Sequence, residues 1–288
     1  MTGPPASGSL GAVTSLFVLK LVLSFVLGGL WITAGVALAE RRGSKAGGLV
    51  LGFPSTVLLA IVFIGWTQST QAAVLATSVI PAVHGINALY VLITVSLLGR
   101  RPWAGWGAGL AVWSACAALV VVSKFDDFAA GVLVYAALLA VSIWRIGRIL
   151  PNDAEAARGR AAGPLLIALR GALGGAAVAL AVLIAKLGGP LVGGVFAIFP
   201  AVFTGALLAT AVSHGPAFSA AVMRSTLIGG TSCVIFAAAV RASFVPLGLA
   251  AGTVVSTLAA LANTLLVRAL MNRRRLSGTG HSTVVSGQ

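Results

Sequence analysis

The sequence predicts an all-α integral membrane protein with about nine transmembrane helices. Of its 288 residues, 59% are hydrophobic and only 8% are charged, and the mean hydropathy is +1.06. Ordinary soluble domains carry roughly 25% charged residues. A spanning helix needs about 20 apolar residues to cross about 30 Å of hydrocarbon. The stretches that meet this requirement are 16–39, 46–66, 72–98, 103–123, 128–149, 164–187, 190–212, 216–240 and 244–270.

The basic residues predict the orientation of these spans. When nine helices are threaded, most of the arginines fall on one side, and the other side holds only Lys124, Lys186 and Arg241. The positive-inside rule then places the N-terminus outside and the C-terminus in the cytoplasm of a prokaryotic cell (inner) membrane. The net charge of +14 is therefore interpreted as topology signals and contacts with anionic lipid rather than nucleic-acid binding.

An internal repeat is carried by two short segments, "GGLVLGFPST" at 47–56 and "GGVFAIFPAV" at 193–202. Their glycine pairs and Phe-Pro dipeptides align without gaps. Weaker matches occur in the same order, and they pair Lys20 with Arg170, Gly105 with Gly248, and Gly109 with Gly252. The separation between partners shrinks along the chain, which shorter loops in the second half would produce.

The repeat predicts two four-helix units, 16–123 and 164–270, with a linker helix and cytoplasmic loop at 124–163 and a flexible tail at 271–288. Four helices return the chain to its starting side, so the extra helix makes the second unit enter from the opposite face. We therefore expect inverted-topology repeats, an architecture common among transporters.

The Gly-Gly and Phe-Pro segments predict broken helices. A proline within a helix removes one hydrogen bond, and in lipid the freed backbone groups must be satisfied by protein or by a hydrated cavity. Broken helices at matching places in both halves are typical of a binding site near the bilayer midplane. The alternative is that Pro54 and Pro200 only kink their helices for packing.

The stretch "GGVFAIFPAVFTGALLATAVSHGPAFSAAVMRST" resembles the core of the GlpM-like small membrane proteins, over about 164–270 and more weakly over the first half. Members of that family have about four short spans, and some are thought to insert in both orientations. The resemblance therefore implies a fused, inverted pair of units. The family has no settled biochemical activity, so the resemblance implies no function.

The sequence does not predict an enzyme, a cofactor or a metal site. It contains no phosphate-binding loop, zinc-protease motif, nucleophile elbow or dinucleotide fingerprint. Its five acidic residues all lie in loops or at span ends, which removes paired-carboxylate chemistry. Cys116 and Cys233 lie within spans, without metal-ligand spacing.

Two ionisable residues lie deep in the predicted spans. His84 shares a helix face with Pro81 and Asn87, and Arg224 lies about eight residues into the eighth span, where a charge is costly. Lys20 and Arg170 are either interface anchors or site residues. The candidate substrate-binding residues are Gly48, Phe53, Pro54, Ser55, Thr56, His84, Gly194, Phe199, Pro200 and Arg224.

These features favour a transporter or ion-conducting protein with a midplane site between the repeats. Because the deep ionisable residues are basic or neutral, an anionic or neutral small solute is expected. The alternative is a membrane scaffold or assembly subunit without a hydrated cavity. Gly105, Gly109, Gly248 and Gly252 are interpreted as packing glycines, within the chain or between subunits of a homo-oligomer.

Reporter fusions test the predicted topology. A fusion after Met271 should report a cytoplasmic location, and a tag at Met1 should be accessible from outside, because nine spans place the termini on opposite sides. Reporter activity and protease protection in intact cells measure both. Termini on the same side would mean that one span is miscounted.

Overall fold

The computed structural model of the chain describes residues 15–30, 33, 49, 51–149 and 163–279. These residues are mostly helical, and no β-strand occurs among them. Five of the described helices are long and apolar enough to cross a membrane, and two shorter apolar helices accompany them. The predicted class, an all-α protein with several helices suited to a membrane, is confirmed.

Short turns separate most of the helices. In chain order they are α1 (Ser15–Leu30), α2 (Ser55–Thr67), α3 (Thr70–Thr77), α4 (Ile80–Leu97), α5 (Pro102–Val122), α6 (Phe128–Ile149), α7 (Pro164–Gly188), α8 (Pro190–Ala197), α9 (Ala201–His214), α10 (Pro216–Gly229) and α11 (Thr231–Thr279).

Local capping explains where several helices begin. The Ser69 hydroxyl accepts a hydrogen bond from the Ala72 N–H at 3.0 Å, which starts α3. The Asp127 carboxylate accepts from the N–H groups of Ala129 and Ala130 at 2.9 and 3.0 Å, which starts α6. Both are short polar side chains at the position that favours them. The segment "SKFDDF" at 123–128 therefore contains the turn between α5 and α6.

Two predicted spans are interrupted at their Phe-Pro dipeptides. The α2 helix starts directly after Pro54 and α9 directly after Pro200, and each proline occupies the N-cap position. The N–H of Ser55 donates to the Phe53 carbonyl at 2.7 Å, and that of Ala201 donates to the Phe199 carbonyl at 2.8 Å. The two interruptions therefore have the same turn. We call the separation of Pro54 and Pro200 along the chain the repeat spacing.

The boundary between the last two predicted spans is wrong. Helical backbone continues through residues 241–243, and the interruption lies at Gly248, which has φ 75° and ψ 174°. Glycine adopts positive φ without the steric cost of a side chain. Gly105, its predicted counterpart, instead lies inside α5, where a Cβ would be 2.9 Å from the Leu97 side chain. Gly105 and Gly248 are therefore not equivalent.

The other predicted packing glycines make close contacts within the chain. A Cβ on Gly109 would lie 3.0 Å from the Tyr90 ring, and one on Gly252 would lie 2.7 Å from the Phe244 ring. In both cases the contacted aromatic residue belongs to the preceding stretch of helix. These glycines therefore serve packing inside the monomer.

The α1 and α7 helices pack against each other in antiparallel directions. The Lys186 ammonium lies 3.5 Å from the centroid of the Phe17 ring. Further along α1, Gly29 approaches the Gly171 carbonyl, and the Phe25 carbonyl approaches Gly175. Residue numbers thus rise along α1 as they fall along α7.

This helix contact follows the alignment of the Phe-Pro segments. Phe25 and Gly171 are separated by the repeat spacing, as are Gly29 and Gly175. The separation of Lys20 and Arg170 is longer. The packing of α1 on α7 therefore agrees with the pairing of Pro54 with Pro200 and not with that of Lys20 with Arg170.

We expect Gly52→Ala to destabilise the protein and Gly107→Ala to be neutral. A Cβ at Gly52 would lie 2.6 Å from the Thr226 carbonyl oxygen and 2.7 Å from the Gly229 carbonyl carbon, whereas nothing lies within 4 Å of one at Gly107. Overpacking costs about 1–3 kcal/mol. Thermal unfolding in detergent should show a lower midpoint for Gly52→Ala alone. Equal midpoints in both variants would contradict this packing.

Candidate functional site

The Phe-Pro interruption of the first half and that of the second half line the same cavity. Its volume is about 30 Å³, counted as the space open to the centres of water molecules, and a single water needs roughly 10–15 Å³ on this measure. The cavity therefore has room for about two waters. Its lining residues are Leu51, Gly52, Phe53, Pro54, Ser55, Thr56, Val57, His84, Asn87, Ile198, Phe199, Phe203 and Cys233.

Each interruption is contacted by a polar side chain from the other half. The Asn87 side-chain amide donates to the Ile198 carbonyl at 2.9 Å, and the Cys233 thiol approaches the Gly52 carbonyl at 3.8 Å. Asn87 and Cys233 are separated by the repeat spacing, as are Gly52 and Ile198. The two contacts are therefore reciprocal, as in an interface formed by two equivalent units around a two-fold axis.

The start of α2 forms part of the cavity wall. Residues 54–57 line it, and no side chain caps the helix N-terminus. The first N–H groups of a helix have no partner within the helix, and they carry partial positive charge. Ser55 and Thr56 add two hydroxyl groups. This wall of the cavity therefore contains a helix N-terminus and two hydroxyl groups, and its residues 54–57 carry no formally charged side chain.

His84 is the most enclosed polar group of the site. The residue is 3% exposed, and its ring lies 5.5 Å from that of Tyr135 and 6.1 Å from that of Phe203, between centroids. Both ring nitrogens are buried without a hydrogen-bond partner. The Nε2 atom lies where a Cβ on Gly230 would be. His84 and Gly230 are also separated by the repeat spacing, so this residue contacts its own counterpart.

Asn87, one turn after His84 on α4, is 1% exposed. Its amide nitrogen is used by Ile198, but its Oδ1 is buried without a partner. The hydroxyl of Tyr135, on α6, is likewise buried and without a partner. Unpaired polar atoms in a buried region are costly. His84 and Asn87 belong to the lining of the cavity, and Tyr135 packs on His84.

Aromatic residues close the other wall of the cavity. Phe199 is 36% exposed and packs edge-to-face on Trp113 of α5, with centroids 5.2 Å apart. Behind it, the Tyr90 hydroxyl lies 2.7 Å from the Thr204 hydroxyl, which donates to the Pro200 carbonyl at 2.8 Å. These contacts fix the first turn of α9 against α4. Phe199 is the exposed member of this wall.

The structure brings six of the ten predicted site residues together at the cavity: Phe53, Pro54, Ser55, Thr56, His84 and Phe199. Pro200 follows Phe199 and caps α9. Gly194 lies one helix away, where it allows α8 to pack closely on the Ala76 carbonyl of α3. Gly48 lies outside the described residues.

Arg224 does not join the described cavity lining. Its guanidinium packs on α6, 3.6 Å from a Cβ position at Gly147, and its Nε is buried without a hydrogen-bond partner. The depth of Arg224 in the predicted span suggests a site residue, but its side chain extends from α10 toward Gly147 of α6. Lys20 donates to the Trp66 carbonyl at 2.9 Å and lies over its ring, as an anchor at the end of α2 would. The Arg170 side chain lies outside the described part.

The sequence-based list of site residues leaves out four residues that contact the site. Asn87 and Cys233 contact the two interruptions, and Phe203 and Tyr135 pack on the His84 ring. The repeat spacing could have found the first two, because it pairs Asn87 with Cys233 once Phe53 is paired with Phe199. The other two depend on which helices pack together. Across the described residues, no group of three or more histidine, cysteine or acidic side chains is placed to hold a metal ion.

Residues 167–271 match the model of a family described as a protein of unknown function (DUF3147). The match covers about a third of the chain and begins in α7, so it contains the second interruption and Arg224 but not His84 or Asn87. No curated protein and no solved structure matches the chain.

Thiol labelling tests whether water reaches the cavity. In a Cys116→Ala, Cys233→Ala background, Thr56→Cys should react with a small water-soluble thiol reagent faster than Thr204→Cys. The reason is that Thr56 lines the cavity, whereas the Thr204 position packs on Tyr90. Mass spectrometry of time points measures the rates. Equal rates, or no labelling at Thr56, would contradict a hydrated cavity.

Proposed function

We propose that this protein is a membrane transporter or ion-conducting protein whose site is the cavity between the two helix interruptions, and that it takes a small neutral or anionic solute. The observation that carries the proposal is that the interruptions of both halves line one cavity. Each also receives a contact from a residue of the other half. A helix interrupted only for packing would have no reason to share a polar cavity with its counterpart.

The pattern of contacts supports an inverted repeat. Contacts at the cavity and between α1 and α7 join residues whose equivalents, found by the repeat spacing, are also in contact. Because α1 and α7 are antiparallel, a two-fold axis relating them would run perpendicular to the helices, hence in the membrane plane. Inverted repeats allow a central site to open to each side in turn, by exchanging the conformations of the two halves. The extent of the family match, 167–271, fits the second such unit.

The chemistry of the cavity supports a neutral or anionic solute over a bare cation. The lining contains no carboxylate among its residues, and cation sites in membranes commonly use one. The α2 N-terminus, which carries partial positive charge, lies in the cavity wall. Arg224 adds nothing here, because it packs on α6. The preference thus rests on the α2 N-terminus and on the hydroxyls of Ser55 and Thr56.

Flux through reconstituted vesicles tests the proposal. Wild-type protein should increase the uptake of small neutral or anionic solutes over that of protein-free vesicles. Asn87→Leu should lower it about tenfold, equivalent to about 1.4 kcal/mol, because the Ile198 carbonyl at the second interruption loses its donor. Stopped-flow light scattering and ion-selective electrodes measure these rates.

Arg224→Gln is the matched control, since it removes a charged side chain within the membrane domain without touching the cavity. It should keep the wild-type rate. Size-exclusion chromatography shows whether each variant is folded. An absence of flux for every solute, with folded protein, would favour the alternative of a membrane scaffold. Loss of flux in Arg224→Gln alone would place the site elsewhere.

A further inference from the structure

Three arginine side chains meet at one end of α6, outside the described cavity lining. The guanidinium carbon of Arg148 lies 4.0 Å from the centroid of the Trp144 ring, and that of Arg145 lies 5.9 Å from the same ring centroid. From α10, the guanidinium of Arg224 comes within 3.6 Å of a Cβ position at Gly147. Because Trp144, Gly147 and Arg148 are three and four residues apart, they share one face of α6. We call Arg145, Arg148 and Arg224 the arginine cluster.

The carboxylates in the described part of the chain lie far from this cluster. They are Asp126 and Asp127, and Asp127 caps the start of α6. At 1.5 Å per residue, Asp127 and Arg145 are about 27 Å apart along the helix. Arg145 and Arg148 are exposed, and Arg224 is half-buried. A partner from outside the chain can therefore reach the charge of the cluster.

The cluster lies at the end of a helix that is long and apolar enough to cross a membrane. The α6 helix, Phe128–Ile149, has 22 residues and is thus about 33 Å long, against about 30 Å of hydrocarbon. Its last two turns, which carry Arg145 and Arg148, then lie at the level of the lipid headgroups. Trp144 is 53% exposed, and an exposed tryptophan is typical of that level. The Arg224 guanidinium reaches the same level because it contacts Gly147.

The α4 helix brings two further arginines to the same membrane surface. Gly131 and Tyr135 of α6 lie beside residues 82 and 85 of α4, so residue numbers rise together along the two helices and the helices are parallel. Arg100 and Arg101 follow the end of α4, and both are exposed. This surface therefore adds positive charge around the cluster, whereas the opposite end of α6 begins with two aspartates.

The side chains of the cluster suit a lipid phosphate. A guanidinium is planar and its N–H groups lie in that plane, so stacking on Trp144 leaves the N–H groups of Arg148 free to donate. Two parallel N–H groups match two oxygens of one phosphate. Toward the middle of α6, Val134 and Val141 are 41% and 51% exposed. Val134, Val141 and Arg148 are spaced by seven residues, so an apolar track leads from the cluster into the hydrocarbon.

We propose that the arginine cluster binds the phosphate of an anionic phospholipid whose acyl chains lie along Val134 and Val141. A zwitterionic lipid carries the same phosphate, but the three arginines repel the cation attached to it, so the anionic lipid is preferred. Bound in this way, the lipid joins α6 to α10. The site does not depend on the proposed transport, since the cluster lies outside the described cavity lining.

Lipid titration of the purified full chain in an uncharged detergent tests the proposal. The two probes have the same acyl chains: dioleoylphosphatidylglycerol and dioleoylphosphatidylcholine. The phosphatidylglycerol should raise the thermal midpoint at an about tenfold lower concentration, and native mass spectrometry should retain it on the protein. Inorganic phosphate, compared with sodium chloride at the same ionic strength, should leave the midpoint unchanged, because it has no acyl chain to hold it beside Val134 and Val141.

Arginine substitutions locate the lipid. Arg148→Gln and Arg224→Gln should each raise the half-saturating concentration of phosphatidylglycerol about fivefold. The matched control is Arg241→Gln, because the Arg241 guanidinium also lies over an aromatic ring, 5.0 Å from the centroid of Phe128, but at the opposite end of α6. This control should leave the half-saturating concentration unchanged. Arg148 is exposed, so Arg148→Gln remains decisive if Arg224→Gln does not fold.

Three results would overturn the proposal. They are equal midpoints with both lipids, a preference for phosphatidylglycerol that Arg148→Gln and Arg224→Gln both keep, and equal stabilisation by inorganic phosphate, which would make a free anion the partner. In vesicles of zwitterionic lipid the cluster has no anionic headgroup to lose. Arg224→Gln therefore remains the control for flux in such vesicles, and flux and lipid binding are tested separately.

Discussion

A helix interrupted inside a membrane exposes backbone groups that lipid cannot satisfy, and this constraint organises the centre of the protein. Each unpaired group costs several kcal/mol in hydrocarbon. The Ile198 carbonyl is satisfied by Asn87 and the Gly52 carbonyl is approached by Cys233, so each interruption depends on a side chain of the opposite half. The polar cavity is therefore a product of the association of the two halves and not of either one.

Near-symmetry at the centre forces the two halves to differ in sequence. His84 contacts Gly230, its counterpart at the repeat spacing, and its Nε2 occupies the place of a Cβ there. In the proposed inverted repeat, a residue that contacts its own counterpart lies at the axis, where only one of the pair has room for a side chain. The same asymmetry extends outward, since Ser55, Thr56 and Asn87 correspond to Ala201, Val202 and Cys233. The first half therefore contributes most of the polar lining, and the second half contributes mainly the apolar wall.

The sequence predicts the fold class and the two interruptions, because proline and apolar length act locally. It also includes His84 among the candidates, because the residue lies deep in a predicted span and shares a helix face with Asn87. It fails for Arg224, because depth in a span says nothing about which neighbour a side chain meets, and α10 turns this one toward Gly147. It fails for the pairing of Gly105 with Gly248, because 36 glycines make coincidences common. The sequence analysis names Asn87 and Cys233 without pairing them, because an amide and a thiol at equivalent positions show no resemblance, although their separation equals the repeat spacing.

The α6 helix is packed tightly against residues of both halves. It packs closely on α4, with Tyr135 beside Gly85 and Gly131 beside Ala82, and near its end Gly147 meets Arg224 of α10. The α6 helix therefore contacts both halves, and its Tyr135 ring packs beside His84. Backbone approaches this close leave no space for a sliding motion without clashes. The opposite wall is Phe199, which is partly exposed and held by an aromatic contact with Trp113. Rotating one phenyl ring disturbs fewer contacts than separating two tightly packed helices, so in a transporter with this site we expect access to the cavity on the Phe199 side.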